Sequence, residues 1–386
     1  MRNPFDYSEI ATEKLFVGRE DAKKILAANI KSCQNTTIYG QRRVGKTSLV
    51  AEVIKIQKKK KDKKQIFIDL DLSICLNVQE FIENFCVTLS KEIKKVKPLE
   101  TKFQELGNYI RSIKPIAKIN SLTGEPEYSF DFSASASKAP ETLDDIFDLL
   151  ESISKDHIIT VILDEFQTIY YWNNSNKLQW QLRSRIQKQK NIGYFFLGSS
   201  QTLISKLFME SQNAFYKSTT LIHLDNFIDP IKFNKWIKER FLSTQISIGN
   251  EQIKEILDFS NAHPYYTQKL CSFIWLEASA LNPKSKIDNQ TVYQAIQQIV
   301  RLESSIFQER MDKLTTNQKK VIKALSKLNS GETMLSQKTI SEYSLPKASS
   351  IRLVLETLRQ EVNPLIIKNE SSYEFEDPFF KLWLQG

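Results

Sequence analysis

A glycine-bounded loop near the start of the chain has the residue types and spacing of a phosphate-binding site. Residues 40–47 read Gly-Gln-Arg-Arg-Val-Gly-Lys-Thr and fit the pattern G-x-x-x-x-G-K-[ST]. Glycine lets the backbone wrap closely around an anion, and successive N–H groups can then point at the β-phosphate. Lys46 is expected to supply positive charge to the β- and γ-phosphates during catalysis, and the hydroxyl of Thr47 is expected to bind Mg²⁺. The residues predicted to contact nucleotide here are Gly40, Gln41, Arg42, Arg43, Val44, Gly45, Lys46, Thr47 and Ser48.

A second group suited to chemistry is the acidic pair Asp164-Glu165, which ends the apolar run 158–163. In P-loop enzymes the strand that ends in such an aspartate is expected beside the strand of the phosphate loop. Asp164 is then predicted to hold Mg²⁺, and Glu165 to polarise a water for in-line attack on the γ-phosphate. Ser199 and Ser200 end the next predicted strand, so one of them can reach the same crevice as a catalytic residue. The alternative is that both serines only terminate that strand.

The elements that must position these residues form an alternating strand and helix pattern. This order predicts an α/β P-loop NTPase core, with a parallel sheet and helices on both faces. Strands are predicted over 36–39, 65–71, 158–165, 194–197 and 220–224, and helices over 21–32, 48–57, 78–96, 143–153 and 177–190. Residues 97–140 are less regular, and we predict only a surface hairpin there, between 116–120 and 128–132.

The pattern changes after Asp229-Pro230. Helices are predicted over 231–243, 250–259, 264–280 and 288–308, followed by three helices over 317–328, 336–342 and 346–360 and two strands over 365–368 and 373–375. The last part has the element order of a winged helix-turn-helix. We therefore predict an ATPase core over 1–228 with an insertion at 97–140, an α-helical lid over 229–311, and a winged-helix domain over 312–386.

Charge and cysteine content limit the kinds of partner and compartment. The 386 residues carry a net charge of +9, which allows a polyanionic partner without demanding one. The dense basic run Lys58–Lys64 is interpreted as a solvated turn or as a nucleic-acid contact. Four scattered cysteines form no zinc-ligand spacing and favour a reducing compartment. Without a signal pattern or an apolar run long enough to span a bilayer, the expected location is the cytoplasm.

Taken in order, these motifs resemble the archaeal-type ATPase family. That family belongs to the AAA+-related STAND NTPases (signal-transduction NTPases with numerous domains) and is close to the origin-recognition ATPases. The features that carry the resemblance are Asn3-Pro-Phe5, Phe16-Val-Gly-Arg-Glu20, GQRRVGKTSL, VILDEFQ, FFLGSS, Asn261-Ala-His-Pro-Tyr-Tyr266, Phe375-Glu-Asp-Pro-Phe-Phe380 and Trp383. The resemblance implies an ATPase domain, a helical lid and a winged helix. It also implies adenine contacts from Phe16, Val17, Gly18 and Arg19, and contacts from His263 and Pro264 in the lid.

The sequence departs from the family pattern at two points. Ala262 stands where the family usually has the first glycine of the lid segment, and we expect the turn to survive because alanine is the smallest replacement. The family often has an arginine after the third motif, where this chain reads Phe215-Tyr-Lys-Ser218. Lys217 could substitute only in part, since lysine cannot make the planar bidentate contact of arginine.

Three functions are compatible with these features. The first is a nucleotide-dependent switch, in which slow ATP hydrolysis displays or hides the winged helix to a protein partner. The second is a DNA-binding ATPase of loader or mobile-element type. The third, a nucleotide-bound scaffold that does not hydrolyse ATP, is disfavoured by the presence of Glu165. For DNA contact, the predicted residues are Lys347, Ser349, Ser350 and Arg352 in the winged helix, together with the basic run. The alternative is that this winged helix serves docking within the chain or contacts with a protein; an oligomer remains open.

Overall fold

The chain folds into two compact units. The computed structural model describes residues 2–59, 65–94, 114–119, 126–131, 139–224, 228–281, 286–328, 332–360, 364–369 and 372–386. Residues Ile10–Asp225 form one unit, here called the α/β unit. Met1–Glu9 and Asn226–Gly386 form the other, here called the helical unit. The first nine residues therefore group with the helical unit.

The α/β unit alternates strands and helices as its apolar periodicity predicts. Its elements are α1 (Glu20–Lys31), β1 (Thr36–Tyr39), α2 (Lys46–Lys59), β2 (Gln65–Asp71), α3 (Val78–Lys94), β3 (Lys114–Ile119), β4 (Pro126–Asp131), α4 (Ala139–Ser154), β5 (Ile158–Asp164), α5 (Ser175–Ile186), β6 (Ile192–Gly198), α6 (Gln201–Met209) and β7 (Thr220–His223). The pair β3 and β4 forms an antiparallel hairpin, as the sequence predicts.

The main sheet has five parallel strands in the order β2-β5-β6-β1-β7. This order corrects the expectation that the strand ending in Asp164 lies beside the strand of the phosphate loop. β6 lies between β5 and β1 and pairs with both. Because all five strands are parallel, their carboxyl ends still meet at one edge of the sheet. A side chain at the end of β5 can therefore reach the phosphate loop past the end of β6.

Helices cover both faces of this sheet because neighbouring residues of its buried strands point to opposite faces. In β5, Ile159, Val161 and Leu163 join a large apolar cluster with residues of α3, α4 and α5. Ile162 points the other way and joins a cluster that includes residues of α1 and α2. Each face of the sheet thus buries its own core.

Four described elements of the α/β unit have no counterpart in the sequence prediction, and two of them, the short 3-10 helices Glu13–Leu15 and Leu72–Ile74, lie away from the acidic pair in sequence. A 3-10 helix, Phe166–Tyr171, directly follows the acidic pair. Helix α6 follows β6, and the hydroxyl of Ser200 accepts a hydrogen bond from the N–H of Leu203 at its start.

The helical unit contains helices and very short ladders. Its elements are α7 (Pro230–Leu242), β8 (Ser247–Ile248), α8 (Asn250–Phe259), α9 (Pro264–Leu281), β9 (Lys286–Ile287), α10 (Asn289–Asp312), α11 (Thr316–Lys327), α12 (Gln337–Glu342), α13 (Ala348–Gln360), β10 (Ile366–Asn369), β11 (Ser372–Phe375) and α14 (Pro378–Gln385). β8 and β9 form a two-residue parallel ladder that the sequence does not predict. Three helices and the antiparallel hairpin of β10 and β11 follow α10, in the order of a winged helix-turn-helix.

The last helix, α14, ties the winged helix to the long helix α10. Phe379 and Phe380 on α14 are fully buried, and the ring of Phe380 packs 5.5 Å from that of Phe307 on α10. The indole N–H of Trp383 donates to the hydroxyl of Ser304 on α10 at 3.0 Å. These contacts join the predicted lid helices and the winged helix into one compact unit.

Among the described residues, no helix is both long enough and apolar enough to cross a bilayer.

Candidate functional site

The phosphate loop connects the carboxyl end of β1 to the first residue of α2. A Cβ atom on Gly40 would lie 2.1 Å from the carbonyl oxygen of Leu224, so only glycine fits where the loop leaves the strand. Gly45 has a left-handed backbone with φ of 95°, and a Cβ atom there would meet no atom within 4 Å. The first glycine therefore fits a close packing contact, and the second fits a turn whose outer side is open to a ligand.

Lys46 is buried, with 5% of its surface exposed. Its Nζ donates hydrogen bonds to the carbonyl oxygens of Gly40 at 3.1 Å and Gln41 at 2.8 Å. Burial lowers the pKa of Lys46 to about 8, while the nearby carboxylates of Glu165 and Asp164 raise it. The ammonium group is thus held inside the loop that the sequence assigns to the phosphates.

Thr47 and Asp164 meet as the sequence predicts for a shared metal ion. The hydroxyl of Thr47 donates to Oδ2 of Asp164 at 2.5 Å. This contact spans β6, because Thr47 follows β1 on one side of it and Asp164 ends β5 on the other. Burial raises the pKa of Asp164, and its hydrogen bond from Thr47 opposes that shift. A hydroxyl and a carboxylate are hard oxygen ligands, and Mg²⁺ typically takes one or two protein ligands beside phosphate oxygens and water. The two side chains therefore fit a Mg²⁺ site of this kind.

Glu165 stands just beyond the strand, in a left-handed conformation with φ of 51°. The backbone N–H of Glu165 donates a hydrogen bond to Oδ1 of Asp164 at 2.8 Å, so the two acidic residues are directly hydrogen-bonded. Its carboxylate oxygen Oε2 accepts from the hydroxyl of Ser199 at 2.7 Å and from the side-chain amide of Gln167. Non-glycine residues rarely adopt positive φ, and such strain is common at functional sites.

Of the two candidate serines, the structure brings Ser199 to the acidic pair. Ser200 instead caps α6, and its catalytic role stays a prediction without a contact that supports it. The hydroxyl of Ser48, which was predicted to contact nucleotide, accepts a hydrogen bond from the N–H of Ala11 at 3.1 Å. Arg42 and Arg43 are exposed on the loop.

The segment Phe16–Arg19 lies within the α/β unit, as an adenine site near the phosphate loop requires. The ring of Phe16 packs against the apolar cluster that contains Val44 and Leu49, and Lys23 lies 5.5 Å above it. Gly18 and Arg19 both have positive φ, of 71° and 63°, and form a sharp turn into α1. Their contact with adenine remains a prediction.

The remaining candidates lie elsewhere. His263 and Pro264 stand at the start of α9 in the helical unit, and their contact with nucleotide stays a prediction. Lys217 lies over the ring of Tyr216 at 5.2 Å. The four winged-helix candidates, at 347, 349, 350 and 352, are exposed at and beyond the start of α13. Of the basic run, Lys58 and Lys59 end α2, and residues 60–64 lie outside the described residues.

Sequence reasoning assigned no role to Gln167. Gln167 is the last residue of the motif VILDEFQ. Its contact with Glu165 depends on the 3-10 helix Phe166–Tyr171, which directs its side chain back toward that carboxylate. The described part of the chain contains no cluster of three or more His, Cys, Asp or Glu side chains that could hold a metal without other ligands.

Solved structures with the same fold cover nearly the whole chain. A Walker-type ATPase of Pyrococcus abyssi is 16% identical with a TM-score of 0.63, over 99% of this chain and 99% of that one. The ORC2 protein of Aeropyrum pernix, solved in ADPNP-ADP complexes, is 13% identical with a TM-score of 0.57, over 100% and 96%. The Aeropyrum pernix ORC1 protein in complex with DNA is 11% identical with a TM-score of 0.50, over 96% and 93%. No curated protein sequence matches the chain significantly.

Two family profiles match the chain, and together they cover most of it. Residues 305–386 match a winged helix domain. Residues 16–270 match the ATPase domain found predominantly in Archaea and include the phosphate loop, the acidic pair and Ser199. The chain therefore belongs to the family of ATPase domains found predominantly in Archaea, here followed by a winged helix domain.

Proposed function

We propose that this protein is a Mg²⁺-dependent, slowly hydrolysing ATPase of the STAND type, in which the nucleotide state switches the placement of the helical unit. The observation that carries the catalytic part is the group Lys46, Thr47, Asp164 and Glu165, assembled at one edge of the sheet. These residues provide the groups that ATP hydrolysis requires: a cation for the phosphates, oxygen ligands for a metal ion and a carboxylate for the attacking water.

Each side chain has one task in this reaction. Lys46 supplies positive charge to the β- and γ-phosphates. Thr47 and Asp164 would hold Mg²⁺, which would supply positive charge against the phosphate oxygens. Glu165 takes a proton from the water whose oxygen bonds to the γ-phosphorus, while the bond from that phosphorus to the β,γ-bridging oxygen breaks. The products are ADP and phosphate. No arginine follows α6 in the segment 215–218, so we expect turnover below the roughly 1–100 s⁻¹ of efficient phosphoryl-transfer enzymes.

The switch part of the proposal is supported by the division of the chain. The phosphate loop lies in the α/β unit, whereas the winged helix and the segment 261–266 lie in the helical unit. A nucleotide with different affinity for two arrangements of these units would shift their populations. The exposed winged helix would then be shown to a protein partner in one nucleotide state.

DNA binding is the second candidate function. It is favoured by the exposed basic side chains of Lys347 and Arg352 at one end of α13. The similar ORC1 protein was solved in complex with DNA, which raises the same question for this chain. Binding to duplex DNA that weakens steeply with salt, and weakens further in a Lys347→Ala and Arg352→Ala double variant, would support this function over the switch alone.

The test of the ATPase proposal separates nucleotide binding from hydrolysis. Lys46→Ala should lose at least about tenfold in affinity for Mg²⁺-ATP, the effect of one charged contact. Glu165→Gln should keep the affinity of the wild-type protein but release no phosphate above background, because an amide cannot accept the proton of water. Calorimetry measures the first effect, and a phosphate-release assay measures the second.

The matched control is Lys55→Ala, which removes a lysine of the same helix that pairs with Glu13 at 3.1 Å. It should leave both affinity and turnover unchanged. Equal affinity of Lys46→Ala and wild type would contradict the phosphate site. Phosphate release by Glu165→Gln at the wild-type rate would contradict the catalytic role of the glutamate.

A further inference from the structure

Gln167 lies two residues beyond the acidic pair and has no role in the phosphate-binding pattern. It is in the first turn of the 3-10 helix Phe166–Tyr171, and only 8% of its surface is exposed. Its Nε2 donates to Oε2 of Glu165 and lies 3.4 Å from the hydroxyl oxygen of Ser199. Ser199 itself donates to the same Oε2 at 2.7 Å. One oxygen of the Glu165 carboxylate therefore receives two hydrogen bonds.

The orientation of the Gln167 amide follows from this contact. An ionised carboxylate can only accept hydrogen bonds, so the NH₂ group must face Glu165. The amide oxygen Oε1 then points toward Gly198, where a Cβ atom would lie 2.6 Å from it. Among the residues that the structure describes, this buried oxygen has no hydrogen-bond partner.

The amide oxygen, unpaired within the described ranges of the chain, carries a cost that an apolar side chain of similar length would not carry. A buried amide oxygen without a partner costs free energy, whereas methionine has similar length and no such atom. Packing stability therefore gives no reason for a glutamine at this position. The hydrogen bond to Glu165 does give one.

We propose that Gln167 is a positioning residue for ATP hydrolysis. Together with Ser199 it fixes Oε2 of Glu165, so that the other carboxylate oxygen faces the attacking water and takes its proton. The backbone of Glu165 is left-handed, with φ of 51°, a conformation that occurs often at active sites. This role rests on the proposed function of Glu165 as the general base.

The test replaces Gln167 by methionine and compares it with an equivalent glutamine outside the site. Gln167→Met should lower kcat about 5–50-fold, a part of the 10²–10⁴-fold that a general base contributes. KM, the affinity for an ATP analogue and the melting temperature should stay within error, or the melting temperature should rise. The control is Gln179→Met in α5: Gln179 is also buried, at 5% exposed, and its Nε2 donates to the hydroxyl of Ser175 at 2.9 Å. It should keep the wild-type kcat.

A second comparison uses Ser199→Ala alone and combined with Gln167→Met. Both donors hold the same oxygen, so the double variant should lose less activity than the product of the two single losses. Multiplicative losses would mean that the two residues act independently, which would overturn the shared positioning of Glu165.

The outcomes also separate this inference from the proposed function. Wild-type protein that releases no phosphate from ATP would refute hydrolysis, and the role of Gln167 with it. Active wild type with an unchanged or raised kcat in Gln167→Met would refute the positioning role alone. A fall in melting temperature or nucleotide affinity that accounts for the fall in kcat would show a structural role for Gln167 and would also overturn the proposal.

Discussion

Ala262 has a left-handed backbone conformation that is unfavourable for any residue with a side chain. Ala262 has a φ of 48° and the preceding Asn261 a φ of 49°. Helix α9 begins two residues later, at Pro264. Left-handed backbone costs residues other than glycine roughly 1–2 kcal/mol. Ala262→Gly should therefore stabilise the helical unit by up to about 1 kcal/mol, after the greater chain entropy of unfolded glycine is subtracted. Ala262→Val should destabilise it, because β-branched residues tolerate positive φ least. Denaturant unfolding that orders these variants the other way would contradict this account.

The metal site is a second prediction at the residue scale. Thr47 and Asp164 are joined by one hydrogen bond, and both can turn to a cation. Removing Mg²⁺ with EDTA should weaken ATP binding by at least about tenfold, or roughly 1.4 kcal/mol. Asp164→Asn should lose most of this Mg²⁺ response, because one of the two protein ligands is removed. Asp144→Asn is a control, since Asp144 pairs with Arg185 at 2.7 Å away from the loop. A Mg²⁺ response of Asp164→Asn equal to that of wild type would exclude this carboxylate as a ligand.

The sequence predicts the residues of this site better than the contacts among them. Lys46, Thr47, Asp164 and Glu165 are recognisable because their types and spacing follow from phosphate and metal chemistry. Of the donors to Glu165, Ser199 is named from the sequence only as one of two candidate serines, and Gln167 is not named, because serine and glutamine are common residues without a fixed spacing. Their function depends on where β6 ends and how the 3-10 helix begins, which are properties of the packed sheet.

At the scale of elements, Gly198 shows how tightly β6 and α6 meet at the site. A Cβ atom there would lie 2.4 Å from Cδ1 of Ile204 and 2.6 Å from Oε1 of Gln167. Gly198→Ala should cost about 1–3 kcal/mol of stability through overpacking. It should also lower kcat more than ATP affinity, because it displaces the glutamine that holds Glu165. Thermal unfolding and phosphate release measure the two effects.

The control for this prediction lies at the other end of the same strand. A Cβ atom on Gly193 would meet the Cα atom of Cys33 at 3.2 Å, a smaller overlap away from the site. Gly193→Ala should therefore lose less stability and keep its kcat. If both alanine variants lose stability and activity in equal measure, the contact of Gly198 with Gln167 has no specific effect on hydrolysis.

Most helices and strands follow from periodicity, but their arrangement and the shortest ones do not. The continuous apolar run of β5 predicts a strand buried on both faces, and its order in the sheet depends on which neighbours pair. β6 inserts beside β1, an arrangement that no local pattern encodes. Helix α14 is short: it begins at Pro378, is capped by the side chain of Asp377 and buries Phe379 and Phe380, and the sequence prediction does not include it.

At the scale of the whole molecule, the N-terminal segment belongs to the helical unit although it precedes the α/β unit in sequence. Phe5 is 3% exposed, and its ring lies 4.6 Å from that of Phe241 and 5.7 Å from that of Trp236. Asn3 donates to the carbonyl oxygen of Ser272 at 3.1 Å. Phe5→Ala should destabilise the helical unit by about 3–5 kcal/mol, as expected for a buried phenylalanine.

The measurement for this prediction is the unfolding of the helical unit followed by tryptophan fluorescence. Tyr7→Ala is the control, because Tyr7 is only partly buried and makes an edge contact with Tyr265 at 5.8 Å. It should cost clearly less. Equal losses in the two variants would mean that the first nine residues do not share the core of this unit.

The proposed switch makes a prediction for the two units as bodies. Distances within the helical unit should stay constant while distances between the units change with nucleotide, because α14 fastens the winged helix to α10. Spin labels on a cysteine-depleted protein report both, with the pair at Lys254 and Thr357 inside the helical unit and the pair at Lys24 and Thr357 between units. All three positions are exposed. A shift between mostly open and mostly closed populations needs about 5.5 kcal/mol of differential binding at its extreme. The expected contacts of Lys46 and Phe16–Arg19 in the α/β unit, combined with that of Pro264 in the helical unit, would supply it. Measurements without nucleotide, with ADP and with an ATP analogue decide the question. Identical distributions for the Lys24 pair in all three states would rule out the switch and leave a nucleotide-bound scaffold, whereas a change within the Lys254 pair would show that the helical unit itself rearranges.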